Sequence, residues 1–270
     1  ARSISGTISK TATGNAARPV RSGAAITRPT QGRDWLKACL SLIAAFALAC
    51  WFAGAEAQPA TSTAHEACIP GAQFRYLPGR GRVWLRNPDI VILAEAGDPR
   101  IVMTRKAIAF WNEELSSIGS GFRFGNIRIA PLARADETYA ANHSRAMIAN
   151  RDYGPKNVPH HIRRYCGSVV IILANTNFVS FAAGSRTYGL AMVAIKGARF
   201  NPFHLPNVTQ NVIAHELGHV LGLRHNADPT LLMCGRPANC RPDKFYSATP
   251  RIFPLAAYER ERLIAKYPRY

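Results

Sequence analysis

Acidic residues are scarce in this 270-residue protein, which has 16 Asp and Glu against 34 Lys and Arg, for a formal net charge of +18. A surplus of that size favours anionic partners. Yet the basic residues are scattered, with no long run and no nucleic-acid-binding motif beside them. A solvated basic surface is the better account, and nucleic acid is not an expected partner. No segment repeats at a period of about 20 to 50 residues, which argues against solenoid and propeller architectures. No two cysteines stand at C-x-x-C spacing, which argues against a zinc site built from thiolates.

Long uncharged apolar runs are equally rare. The one that stands out spans Ala38–Ala55, after a Ser-, Thr-, Ala- and Arg-rich stretch and Trp35-Leu36-Lys37, and it closes on Ala55-Glu56-Ala57. A basic flank, an apolar stretch and a small-x-small ending read as a secretory signal peptide cleaved after Ala57. Residues 1–57 are then a leader and residues 58–270 a single domain, secreted, periplasmic or extracellular. The alternative keeps residues 38–55 as a membrane anchor, since the run nears bilayer-spanning length. With Cys39 and Cys50 in the leader, Cys68, Cys166, Cys234 and Cys240 remain. An even count in an exported protein suggests two disulfides. Cys234 with Cys240 makes a natural short loop and leaves Cys68 with Cys166, although three pairings are open.

Residues 58–82 read as an irregular lead-in. Asp89–Ala94 (DIVILA) and Ser168–Leu173 (SVVIIL) read as buried strands, Tyr188–Ile195 as a third, and Phe122–Ile129 as a half-buried strand because polar and apolar residues alternate. Asp98-Pro99 supplies a helix start, and apolar residues from Ile101 to Leu115 recur at helical spacing to about Ser117. A short helix is expected at Asp136–Ala149. Asn207 is a candidate cap for a helix from Val208 to about Leu221. A final amphipathic helix covers Leu255–Lys266, with Leu255, Tyr258, Leu263 and Ile264 facing inward. This order gives an α+β fold, a mixed sheet with helices packed on it.

Chemistry concentrates in His215-Glu216-Leu217-Gly218-His219-Val220-Leu221-Gly222-Leu223-Arg224-His225, which matches H-E-x-x-H-x-x-G-x-x-H at every fixed position. Four residues apart on a helix, His215 and His219 project from one face and can chelate one ion. Glu216 sits beside the first ligand, placed to reach a water on the metal rather than the metal itself. Gly222 can take a left-handed conformation, stop the helix and swing His225 back as third ligand. Three neutral nitrogens leave one position open, the pattern of a catalytic zinc site. Packing needs of a helix do not account for a histidine beyond Gly222.

The motif resembles that of the metzincin zinc endopeptidases. Leu231-Leu232-Met233-Cys234, eight residues past His225, is similar to their methionine turn, which implies that Met233 supports the metal site by packing. Within that group, HELGHVLGLRHN and the spacing of Leu255, Glu259, Leu263 and Tyr267 are most similar to the matrixins. The resemblance implies a twisted mixed sheet, a long zinc-motif helix, the methionine turn and a C-terminal helix. It also implies a zinc-dependent endopeptidase acting on protein or peptide substrates, with Glu216 as general base and Zn2+ on His215, His219 and His225. The Tyr188–Ile195 strand is the expected edge for pairing with an extended peptide. The alternatives are an exported zinc-containing binding protein without turnover and a zinc hydrolase of non-peptide amides. The sequence departs from the matrixins in lacking their propeptide cysteine switch and their structural zinc and calcium loop. His143, His160, His161 and His204 are therefore assigned no metal, and calcium is left unassigned. Gly235 stands where some metzincins have a Tyr near zinc.

Overall fold

In the computed structural model three apolar runs build the sheet, as β3 (Asp89–Ala94), β5 (Ser168–Leu173) and β7 (Leu190–Ile195). The structure describes residues 68–69, 72–78, 81–151, 154–236, 238, 240, 245–247 and 249–268. The expected leader at 1–57, with its apolar run at 38–55, lies outside them. With β4 (Ile127–Pro131) and β6 (Phe181–Ser185), the strand order is β4-β3-β5-β7-β6. Four strands are parallel and β6 is antiparallel to β7.

Both faces of this sheet are covered, which is why its central strands are apolar at almost every position. Ile90, Ile92, Ile171 and Val193 face one core with α1 (Arg100–Ser117) and α4 (Pro206–Val220). Val91, Leu93, Val170, Ile172 and Met192 face a second core, under α2 (Arg134–Asn150) and the short α3 (His160–Arg163). The expected sheet is mixed, as found. Its mostly parallel order and two-sided helix cover make the layering α/β rather than α+β. No helix among the described residues is long and apolar enough to cross a membrane.

Several expectations are corrected. The strand expected at Phe122–Ile129 begins only at Ile127. Phe122 and Phe124 keep the alternating burial of a strand and both enter the core, but they pair with no neighbouring strand: the Phe124 amide donates instead to the Asn112 side-chain oxygen at 2.8 Å. The lead-in at 58–82 contains β1 (Phe74–Leu77), paired with β2 (Gly81–Trp84) in an antiparallel hairpin. Trp84 Nε1 donates to the Val220 carbonyl at 3.3 Å, satisfying part of the C-terminus of α4. Asn207 does not cap α4. It lies inside the helix that Pro206 opens, donating to the Phe245 carbonyl and accepting from the Arg251 amide. The last helix, α5, spans Ala257–Lys266. Leu255 and Leu263 are buried as expected, but Tyr258 and Ile264 are exposed, and Glu259 turns inward instead.

Asp98 does start α1: its Oδ1 accepts the Arg100 amide at 2.8 Å. Arg100 itself is buried and donates to the Leu173, Ala174 and Lys196 carbonyls, to Asn175 Oδ1 and to the Asp98 carboxylate. One guanidinium thus ties the ends of β5 and β7 to the start of α1. The disulfides are Cys68–Cys166 and Cys234–Cys240, with Cα separations of 5.9 and 5.7 Å.

Candidate metal centre

The pitch of α4 brings His215 and His219 together on one face, edge to face, with ring centroids 4.7 Å apart. Val220 is its last residue. Gly222 then takes φ +84°, the left-handed region open to glycine. The Leu223 amide closes back on the Gly218 carbonyl at 3.0 Å. A Cβ at position 222 would also stand 3.1 Å from the Arg82 carbonyl. The reversal returns His225 to within 4.7 Å of the His219 ring and 5.2 Å of the His215 ring. One ligand atom from each of the three histidines lies within 4.8 Å of the others.

The rings are oriented as well as gathered. Nδ1 of His215 bonds the Leu232 carbonyl at 2.7 Å, that of His219 the Leu223 carbonyl at 2.9 Å, and that of His225 the Arg236 carbonyl at 2.9 Å. A carbonyl only accepts, so each Nδ1 holds the proton and each Nε2 keeps its lone pair for a ligand. Burial lowers the pKa of His215 well below the ordinary histidine value and that of His219 to about 4, the neighbouring imidazoles adding to the effect. Neutral rings with inward lone pairs suit a tetrahedral Zn2+ with one open position.

Met233 is fully buried, and glycine at 218 makes room for it. A Cβ there would meet Met233 Sδ at 2.5 Å and Trp111 Cζ2 at 3.0 Å. The methionine therefore packs against the helix turn between the two ligands. Gly235 is equally constrained, because a Cβ there would collide with the His225 imidazole.

Glu216 is buried, lines the same cleft as His215 and His225, and accepts a hydrogen bond from the Ala182 amide. Burial pushes its carboxyl up to about 8, with the Ala182 N–H pulling the other way. A divalent cation in front of it would favour the ionised form. The strand that meets Glu216 is β6, which is also the sheet edge; β7 is enclosed between β5 and β6. Tyr188–Ile195 is therefore not the edge available for peptide pairing, and Phe181–Ser185 is.

No protein-family model matches the sequence, and no curated protein matches it either. Many solved chains are similar, among them the following two. Archaemetzincin from Methanopyrus kandleri is 17% identical over 67% of this protein and 94% of its own length, with a TM-score of 0.40. A zinc-dependent peptidase from Methanocorpusculum labreanum is 14% identical over 65% of this protein and 98% of its own length, with a TM-score of 0.34. Likenesses this distant leave the chemistry to be read from the residues themselves.

Two residues hold the site in ways the sequence does not assign, although Glu259 belongs to the helix spacing noted for α5. Glu259 of α5 is fully buried; its Oε1 accepts from the Asn226 side-chain amide and its Oε2 from the Ala256 N–H, each at 2.8 Å. Asn226 follows His225 directly. Its own N–H donates to the Met233 carbonyl and its carbonyl accepts from Gly235. Glu259 thereby fixes the segment that presents His225. The one available hint is an acid on the same helical stripe as Leu255 and Leu263. Two further histidines have other surroundings: His161 pairs with the buried Asp136 at 2.6 Å, and His143 packs on Phe181 with ring centroids 4.9 Å apart.

Proposed function

We propose that this protein is an exported zinc-dependent endopeptidase of metzincin type, matrixin-like in its motif, with residues 58–270 as the catalytic domain behind a leader at 1–57. The observation that carries the reading is the convergence of three imidazoles, each with Nδ1 held by a backbone carbonyl, beside a buried carboxylate in one cleft. A role in packing alone does not call for three histidines gathered and oriented in this way.

His215, His219 and His225 are the ligands. A zinc ion held there would supply Lewis acidity at the reacting centre. Glu216 accepts the proton of the attacking water and delivers it to the leaving amine. Its low-dielectric site strengthens that exchange. β6 binds an extended protein or peptide substrate along its free edge, bringing the peptide bond past Glu216. The cleft, about 560 Å³, is open enough for such a segment. Met233 supports the ligand turn by packing.

Glu216→Gln tests this directly. The variant keeps stoichiometric zinc and loses about 10²- to 10⁴-fold in peptide cleavage. Undiminished cleavage removes Glu216 as the base, and a purified wild type that neither retains zinc nor loses activity to a chelator removes the metal.

A further inference from the structure

The wall of the cleft next to the histidines bears a charge that the hydrolytic scheme does not use. The cleft is lined by Phe178, Val179 and Ser180 ahead of β6, by Lys196 just past β7, by Phe203 and Val212, and by Arg236 beyond the methionine turn. Among the described residues its sole lining carboxylate is Glu216, which the scheme already employs. Lys196 and Arg236 are its cations.

Lys196 is held in place from several sides. Its carbonyl accepts from Arg100 at 3.1 Å and its amide donates to Ser180 Oγ at 3.2 Å. Its ammonium donates to the Asn201 carbonyl at 3.1 Å and stands 4.7 Å from the centroid of the Phe203 ring. No carboxylate among the described residues pairs with it. Partial burial lowers its pKa, the response of an ammonium short of compensating negative charge. Arg236 sits at the rim, with its carbonyl engaged by His225.

Position along the substrate follows from the strand. A peptide lying antiparallel on β6 passes Ser185 first and residues 178–180 last, so this part of the cleft receives a residue on the C-terminal side of the bond beside Glu216. Antiparallel pairing is the more stable of the two arrangements.

We propose that this cleft selects substrates with an acidic residue, Asp or Glu, immediately after the cleaved bond, and that Lys196 is the residue that reads it. The proposal rests on the endopeptidase reading and names its substrate class. The Lys196 ammonium, approached by a carboxylate between Phe203 and the loop at 178–180, forms a partly desolvated ion pair. A basic residue in the same place meets Lys196 and Arg236 with no counter-charge. The positive charge of the whole protein adds attraction for acidic peptides at a distance.

The test uses zinc-loaded protein and a set of quenched-fluorescence peptides that differ only in the residue after the cleaved bond: Glu, Gln, Leu or Lys. Wild type is expected to favour Glu over Gln by about tenfold or more in kcat/KM and to cleave the Lys peptide worst. Lys196→Met keeps the stem over Phe203 and should bring the Glu-to-Gln ratio close to one. Lys196→Arg should restore the preference, and Lys196→Glu should invert it towards the Lys peptide. Binding of the same peptides to zinc-loaded Glu216→Gln protein, read by fluorescence anisotropy, should show the same ranking. Cleavage with no acid preference, or a preference that survives Lys196→Met, overturns the proposal while the peptidase reading stands. Acid-selective binding that Lys196→Met abolishes, with no cleavage of any peptide by wild type, upholds Lys196 as the reader of an acidic residue and overturns the peptidase reading.

Discussion

Above the metal helix, residues 89–195 are organised by a sheet whose central strands are buried on both faces; below it, between α4 and α5, the described residues contain no helix or strand longer than an isolated bridge between Asn226 and Cys234. The first region is positioned by burial of apolar surface. The second buries Leu232, Met233, Phe245, Phe253 and Leu255 in the same core, but its irregular backbone is held in addition by polar side chains reaching out of regular helices. Asn211 of α4 donates to the Arg251 carbonyl and accepts the Phe253 amide, Asn207 holds Phe245 and Arg251, and Glu259 of α5 holds Asn226. The histidine cluster takes two members from the first kind of construction and one from the second. His215 and His219 should thus share the fate of the fold, while His225 can be displaced alone.

The largest expected effect lies in the upper region. Trp111 of α1 is fully buried and donates to the Ala214 carbonyl at 2.8 Å, next to the first ligand. Trp111→Ala should cost about 3–5 kcal/mol, seen as a lower denaturant midpoint with every ligand affected together. If the variant instead kept its stability and lost zinc, the division between the two regions would be wrong. Glu259→Ala comes next and probes the lower region. It should lower zinc affinity by about 10- to 100-fold with helix content in circular dichroism unchanged. A loss of stability as great as that of Trp111→Ala would show that the lower segment belongs to the same cooperative core. Smallest is Ile264→Ala on the outer face of α5, which should stay within about 0.5 kcal/mol of wild type, with zinc affinity unaltered, as a thermal melt and a metal titration would register.

The same contrast explains what could be read in advance. The three clustered histidines lie within eleven consecutive residues, so helix pitch and one glycine turn fix their geometry with little help from the rest of the fold. DIVILA and SVVIIL announce buried strands because both their faces are apolar. β6 is not legible, because FAAGS has little strand signal of its own; its position comes from pairing with β7. Phe122 and Phe124 imitate a strand pattern, yet the Asn112 side chain takes up the Phe124 amide that a neighbouring strand would otherwise have satisfied. Asn207 resembles a cap because it precedes an apolar run, whereas its partners lie about forty residues further on. Glu259 is hidden by its charge, since an acid in an amphipathic helix usually faces water.

The buried guanidinium of Arg100 has a consequence for how this scaffold can change. It joins the start of α1 to the carbonyl of Lys196, so the backbone on one rim of the cleft is pinned by a group whose release would strand an unsolvated cation at a cost of several kcal/mol. Shifting that rim would therefore jeopardise the fold before it altered any preference. A lineage moving to a different diet of substrates would exchange the residue type at position 196 and leave its backbone where it is.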